Sequence, residues 1–540
     1  MKDNRFSHYS FEKLQKDVLA GLVVGVIAIP LGMAFAIASG VKPEYGIYTT
    51  IIAGILISLF GGSKFQIGGP TGAFVPILLG VVITYGFENL LIAGFMAGVI
   101  LLIMGLCKLG SLIRFIPKSL TIGFTAGIAV IIFSGQIGNF LGLSDIEKHE
   151  AFIDNMREII ANIHLINGYS VLTAIICLVT VLVSPKFLPK VPSPLIGLVL
   201  STLIATFFYP NEVATIASTF GAIPSALPTF HMLDITVERM GELLRPAIVI
   251  ALLGAIESLL SAVVADGMTN TRHNSNRELV GQGIANMITP FFGGIPATGA
   301  IARTATNIKN GAVSPVSGIV HGIVVLLVLL LFASLASSIP LASMAPILMV
   351  VAWNMSARKT FYHILKTRTG DSLILIVTFL LTVFINLTVA VEVGLVLAVI
   401  LFIKQMSESL TVKKESKTMA SGDIKVIRVD GPLFFGAAGS FEQQVAEQIR
   451  ETEPRVLIVN MEGVSYMDIT GDAKFAKVIS DYRKSGKILI VGLQDQPKKF
   501  LKKTGLYDIV GANQCFDRTE DATYYALKHL DAERELSVSD

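Results

Sequence analysis

Apolar runs recur along the first 404 residues, separated by charged or Pro/Gly-rich breaks; the stretches 316–335, 373–386 and 387–404 are examples. A bilayer core about 30 Å thick needs roughly 20 apolar residues per helix, so these runs read as membrane spans. Counted between Val18 and Lys404 they predict about 14 spans, several short or interrupted. After about residue 405 the pattern turns mixed and charged. A Lys/Ser-rich linker, 411–421, leads into strand-like runs at 424–435, 456–461 and 488–493. Helical patterns lie between them at 441–452, 473–483 and 498–505, with a last one after Glu520, which predicts a small α/β domain. The expected division is 1–17 as a cytoplasmic N-terminus, 18–404 as the membrane domain, 405–421 as linker and 422–540 as the soluble domain.

Composition agrees with a chain that lives mostly in lipid. Of 540 residues 52% are hydrophobic and 15% charged, against about 25% charged in a soluble domain. The net charge is +3 and the basic residues are scattered, which excludes a nucleic-acid footprint of clustered Lys and Arg. The three cysteines, Cys107, Cys177 and Cys515, show no CxxC spacing, so no disulfide framework or metal site is expected. The N-terminus lacks the short apolar core and small-residue cleavage site of a removable signal. Lys and Arg sort onto alternate loops, among them Lys108, Arg114, Lys118, Lys186, Lys190, Arg358 and Lys366, while the opposite loops carry Asp145, Glu147, Glu150, Asp154 and Glu158. That asymmetry places both termini in the cytoplasm, and the protein is expected in the inner (plasma) membrane. No GxxxxGK[ST] loop is present, so the energy for any transport is expected from an ion gradient.

Two segments put Gly and Pro at membrane depth: 68–73 (GGPTGA) and 293–300 (GGIPATGA). Aligning their Thr-Gly-Ala sets them 227 residues apart and carries the first span onto another, the pattern expected of inverted repeats, about 18–210 and 240–404. A half-helix beginning near the midplane exposes free N–H groups and the positive end of its dipole. Two such ends facing each other make an anion site. The competing reading is that both are ordinary kinks of membrane helices.

Glu257 sits within an apolar run, where a carboxylate is costly unless it faces a cavity or a partner. Desolvation favours its protonated form; Ser261, one turn on, shares its face. Together they are expected to hold a proton or a sodium ion beside the anion, the alternative being a structural Glu bonded to backbone. Arg303 either adds positive potential to the anion site or snorkels to the cytoplasmic face. Glu44 and Glu392 read as interfacial charges, and Asp266, Arg272, His273 and Arg277 as a loop cluster that could gate.

The ordered motifs 43–48 (PEYGIY), Gly69-Pro70-Thr71, 274–279 (NSNREL), Gly281-Gln282-Gly283 and 294–303 resemble the sulfate permease family of anion transporters. Further on, 431–435 (GPLFF) and 467–471 (MDITG) resemble the STAS domain that ends those proteins. The resemblance implies a polytopic α-helical membrane protein of fourteen spans in two inverted seven-helix repeats, a core domain moving against a gate domain, and a homodimer. It implies sulfate, bicarbonate, chloride or a dicarboxylate as substrate. By position, Thr71, Gly72 and Ala73 would line the anion site from the first half, and Gly299, Ala300, Ile301, Ala302 and Arg303 from the second. Glu257 matches the family's acidic position, yet sodium-coupled bicarbonate members resemble this chain with Asp there and a hydroxyl residue at Ile301. The departure favours a proton as coupling ion, with sodium as the alternative and no cofactor. Thr470 matches the position that related anti-sigma-factor antagonists phosphorylate, and the STAS domain offers a surface for a cytoplasmic partner. A nucleobase permease or a channel-like uniporter of the same fold stays open, whereas no nucleophile–base pair suggests an enzyme.

Overall fold

The computed structural model describes residues 5–6, 9–111, 116–143, 146–147, 149, 151–188, 191–415, 423–450 and 453–538. Arg114, Asp145, Glu150 and Lys190 of the charge sorting, and residues 416–421 of the expected linker, lie outside them. The chain divides into two compact units, 1–395 and 396–540.

In the first unit the helices fall into two sets of seven. The first comprises α1 (Phe11–Ala38), α2 (Pro43–Phe60), α3 (Val75–Tyr85), α4 (Phe87–Leu106) and α5 (Lys118–Gly135). Short α6 (Ile137–Leu141) and α7 (Phe152–Ala161) intervene before α8 (Gly168–Phe187) and α9 (Ser193–Phe208) complete it. After the short α10 (Ile216–Phe220), the second set runs α11 (Val237–Thr269), α12 (Ser275–Ile288), α13 (Ile301–Lys309), α14 (Val316–Ser337) and α15 (Leu341–Met355). It ends, past the ten-residue α16 (Arg358–Thr367), with α17 (Gly370–Phe384) and α18 (Leu387–Glu408). Among the described residues eight helices are long and apolar enough to cross a membrane alone; α3 and α13, the third member of each set, are half-length.

The packing repeats between the sets. Helix α14 packs on α1 and α2, and its counterpart α4 packs on α11 and α12; α17 packs on α5, and α15 on α8. Each half thus completes the other, the arrangement expected of inverted repeats. Helices α1–α4 with α11–α14 form one bundle, and α5, α8, α9, α15 and α17 the other. Lipid gives no hydrophobic drive between helices, so small residues let backbones close up: a Cβ on Gly98 of α4 would lie 2.6 Å from the Met287 amide nitrogen, and one on Gly283 of α12 2.6 Å from that of Leu102.

Carboxylates, two of them fully buried, tie loops and helices together. Glu278 on α12 accepts from the Gly62 and Ser63 amides at 2.7 and 3.0 Å and from Gln282 Nε2 at 2.9 Å. Asp17 on α1 accepts from the Val313 and Ser314 amides at 2.8 and 3.1 Å and from Ser314 Oγ at 2.6 Å. Asp266 holds the amide and ring of His273 at 3.0 and 2.7 Å, so that part of the expected loop cluster caps the turn after α11. Glu392 takes a bidentate bond from Arg245 at 2.9 and 2.6 Å, joining α18 to α11.

After β1 (Gly68–Gly69) and β2 (Thr298–Gly299) of the membrane unit, the second unit is a five-stranded sheet in the order β3 (Thr411–Lys414), β4 (Ile424–Asp430), β5 (Val456–Gly463), β6 (Lys487–Val491), β7 (Cys515–Phe516). All pairs are parallel except β3 with β4. The sequence reading missed both edge strands: β3 lies in the stretch read as linker and β7 has two residues, too short for an alternating pattern. Helices α19 (Ala438–Arg450), α20 (Ile469–Tyr482), α21 (Asp495–Thr504) and α22 (Leu506–Val510) pack Phe441, Phe475 and Leu501 on one face. On the other, α23 (Thr519–Val538) lays Ala522, Ala526 and Leu530 over Val426, Ile458 and Leu489. Central strands covered on both faces read as continuous apolar runs.

Two outcomes test this account. Glu278→Ala leaves two buried amides without an acceptor at about 1–3 kcal/mol each, so the detergent-solubilised protein should melt several degrees lower. In the soluble unit Lys474 at 2.6 Å and Lys477 bond Glu442 and hold its carboxyl down at about 2, below its ordinary 4.5. That depression makes the α19–α20 bond stabilising above about pH 4.5 and lost as pH falls toward 2. Hydrogen-exchange protection of α19 should weaken across that window in wild type, and Glu442→Gln should flatten the response.

Candidate functional site

The two Gly/Pro-rich segments meet. Gly68–Gly69 (β1) pairs antiparallel with Thr298–Gly299 (β2), Gly68 opposite Gly299 and Gly69 opposite Thr298. Each strand runs into a half-helix: a 3-10 turn at Gly72–Phe74 leading into α3, and α13 from Ile301. Because the strands are antiparallel, the half-helices leave the crossing in opposite directions with their N-termini beside it. The starts, Gly72 and Ile301, are 229 residues apart rather than the 227 of the Thr-Gly-Ala match, so Thr71 and Thr298 are not equivalent. Thr71 precedes its half-helix, whereas Thr298 lies in β2 and donates its hydroxyl to the Gly254 carbonyl at 2.9 Å.

That shift separates the expected anion-lining residues by their backbone bonding. Gly299 belongs to the strand, and the Ala300 amide is donated to the Ile67 carbonyl at 2.9 Å. Helix termini leave their first amides unmatched; among the described residues those of Gly72 and Ala73 on one side and Ile301, Ala302 and Arg303 on the other have no acceptor. Thr71, Gly72 and Ala73 are buried, and Ile301 and Ala302 are exposed. Gly72 also marks where the two bundles touch: a Cβ there would stand 3.0 Å from Met355 Sδ, 3.2 Å from Ile132 Cδ1 and 3.3 Å from Phe35 Cε1.

Helix α11 braces the crossing from behind. Gln66 Nε2 donates to the Ser258 carbonyl at 3.0 Å, and Ser261 Oγ lies 3.0 Å from Gln66 Oε1 and 3.2 Å from Thr304 Oγ1, which in turn accepts from the Ile67 amide at 3.0 Å. Ser261 therefore spends its hydroxyl on this network, and among the described residues no hydrogen bond joins it to Glu257. Glu257 is 9% exposed and lies on the turn between Gly254, which Thr298 bonds, and Ser258, which Gln66 bonds. No described residue gives its carboxylate a hydrogen bond, so the backbone-bonded alternative lacks its bond. Gln66 and Thr304 escaped the sequence reading; a Gln and a Thr beside the breaks were the available signal.

Arg303 does not snorkel. It is 3% exposed, donates through Nη2 to the Pro70 carbonyl, and leaves Nη1 without a partner among the described residues. Gly69, at φ +145°, makes room for it, since a Cβ there would lie 2.7 Å from Nη1. A cavity of about 250 Å³ between α3, α11, α5 and the α17–α18 break, lined by Pro76, Thr84, Arg245, Thr382 and Asn386, lies along α3. In the soluble unit Thr470 is exposed on the first turn of α20, whose N-cap, Asp468, accepts from the Gly471 amide at 2.8 Å and the Phe435 amide at 2.9 Å.

Residues 14–378 match the sulfate permease family and residues 416–522 the STAS domain. YvdB of Bacillus subtilis, named provisionally as a sulfate transporter, is 56% identical over 96% of this chain and 99% of its own. BicA of Picosynechococcus sp., named a bicarbonate transporter, is 30% identical over 96% of this chain and 95% of its own. The solved structure of the murine Slc26a9 anion transporter in the inward-facing state superposes with a TM-score of 0.87 at 20% identity, covering 96% of this chain and 92% of that one; likeness at that identity speaks for the fold.

The crossing yields its own prediction. A Cβ on Gly299 would fall 1.5 Å from Gln66 Nε2, whereas one on Gly168, at the start of α8, meets nothing within 4 Å. Gly299→Ala should break the Gln66–Ser258 bond, lower the melting temperature and abolish transport, with Gly168→Ala close to wild type in both measurements.

Proposed function

Since this chain belongs to the sulfate permease family and carries a STAS domain, we propose that it is a proton-coupled symporter of a small anion, bound between the opposed half-helix N-termini. That it is an anion transporter of the family, not an enzyme, follows from the match over most of its membrane unit and from its relatives. The carrying observation for the finer reading is the pair of amide clusters, Gly72 and Ala73 against Ile301, Ala302 and Arg303, with the Arg303 guanidinium buried at the crossing and paired to no described carboxylate. Two helix dipoles and one buried cation supply positive potential in a low-dielectric setting, and an anion is the group that balances them.

Glu257 is the coupling residue of this reading. A carboxylate in apolar surroundings with no cation partner favours its protonated form, so it takes a proton with the anion and returns it on release. Sodium is the weaker choice because it wants several oxygens at fixed distances; Ile301 and Ala302 offer no side-chain oxygen, and Ser261 is committed to Gln66 and Thr304. The half-helix dipoles supply charge without reading shape, which suits sulfate, bicarbonate or a dicarboxylate, and the small apolar side chains beside them give a nucleobase edge no side-chain partner. The reading places the chain in the plasma membrane with both termini in the cytoplasm, working as a homodimer, with Thr470 on the soluble unit open to modification.

Uptake of labelled sulfate, bicarbonate and fumarate into proteoliposomes under imposed proton or sodium gradients decides it. An inward proton gradient should drive one of these anions, and Glu257→Gln should abolish the gradient-driven accumulation. Sodium-driven uptake, or flux indifferent to both gradients and to the substitution, would replace proton symport with sodium-coupled or channel-like transport.

A further inference from the structure

Among the described residues one ion pair joins the two bundles of the membrane unit. Arg245 on α11 gives Glu392 on α18 a bidentate bond at 2.9 and 2.6 Å, whereas the other ion pairs there join near neighbours in sequence. Helix α18 belongs with the second bundle. A Cβ on Gly394, just past Glu392, would lie 2.3 Å from Leu120 Cδ1 of α5 and 2.7 Å from Thr378 Oγ1 of α17. The bond also stands beside a space between the bundles. The cavity of about 250 Å³ is walled by α3 from Pro76 to Tyr85 and by Arg245 on one side, and by Ile131, Thr382 and Asn386 on the other. Pro76 lies in the first turn of the half-helix, and Tyr85, its last residue, is close enough to act on the Arg245 charge. The pair therefore sits toward the end of α3 remote from Gly72 and Ala73, with about 14 Å of helix between Pro76 and Tyr85 at 1.5 Å per residue.

We propose that Arg245 and Glu392 form a latch that holds the bundles together beside this cavity and opens when the anion passes between them on that side. Alternating access by rocking one bundle against the other breaks whatever bonds cross the interface where it opens. A latch has to be specific in geometry and weak enough to part in every cycle. The planar guanidinium fork on a carboxylate supplies the first property. Exposure of both side chains, 64% and 45%, supplies the second. Glu242 lines the same cavity, but it lies on α11 with Arg245 and so bridges nothing. Glu392 lies in the second turn of α18, the helix whose other end runs into the soluble unit. On the reading that puts both termini in the cytoplasm, the latch closes the outer face. The sequence shows Glu392 as an interfacial charge and gives no sign of its partner, 147 residues away.

The latch concerns passage between the bundles and holds whichever ion is coupled, so it stands apart from Glu257 and from proton symport. Val81, in the cavity wall on α3, is 4% exposed, and a cysteine there reports opening. Val81→Cys would be made alone, with Arg245→Gln, with Glu392→Gln and with both. Its reaction with a hydrophilic maleimide would be timed in detergent, where the reagent reaches either face, and the parent chain with its three native cysteines gives the background. Each single substitution should speed labelling about threefold, the scale of an exposed pair, with melting temperatures close to that of Val81→Cys. The double variant should label no faster than either single one, because the two charges act as one bond. Salt at about 1 M, which screens exposed charges, should speed labelling when the pair is intact and leave the double variant unmoved. Labelling indifferent to the substitutions, additive acceleration in the double variant, a salt effect that survives the loss of both charges, or acceleration that tracks a fallen melting temperature would each overturn the latch.

Discussion

Backbone amides and carbonyls cannot be left unmatched in hydrocarbon, and the rest of the membrane unit is arranged around the one place where the chain stops being helical there. Breaking two helices at mid-depth frees amides and carbonyls on both segments, each worth several kcal/mol if unmatched. The β1–β2 crossing matches some, Gln66, Thr298 and Thr304 match others, and five amides stay free at the two half-helix starts. Those five are where the protein accepts a cost that a ligand can offset.

The bracing of the crossing explains the placement of polar residues that otherwise look arbitrary. Gln66, Ser258, Ser261 and Thr304 form a closed set of bonds between β1, α11 and α13, while Asn286 donates to the Ala297 carbonyl and accepts from the Ala297 amide, both at 2.8 Å. These bonds tie the half-helix starts into one bundle, and Met355 and Ile132 of the other bundle approach Gly72 with apolar atoms. The exposed Arg245–Glu392 bond between α11 and α18 exchanges readily with water.

Much of this was legible in the chain because the physics that decides it is local. Span number and the existence of two broken segments follow from hydropathy and from Gly and Pro, and the soluble unit announces itself by a change of composition. The candidates Thr71, Gly72, Ala73, Ile301, Ala302, Arg303 and Glu257 were reached from motif positions in one dimension. Edge strands β3 and β7 were not, since two to four residues carry no period. The two-residue error in the repeat register arose because Thr-Gly-Ala recurs in sequence while the strand–helix junctions follow Thr71 in one half and Ala300 in the other.

By itself, then, the sequence determined which stretches enter the bilayer, where their helices break and which residue types gather at the breaks, because hydrophobicity and backbone conformational preference are properties of short segments. Only the tertiary structure decided which amides stay free, that Ala300 surrenders its own to Ile67, that Ser261 serves Gln66 rather than Glu257, and that Arg303 turns inward to Pro70 instead of outward to water. Those outcomes are settled by partners more than 190 residues away along the chain, brought to hydrogen-bond distance by the folding of one repeat against the other. No local signal encodes them.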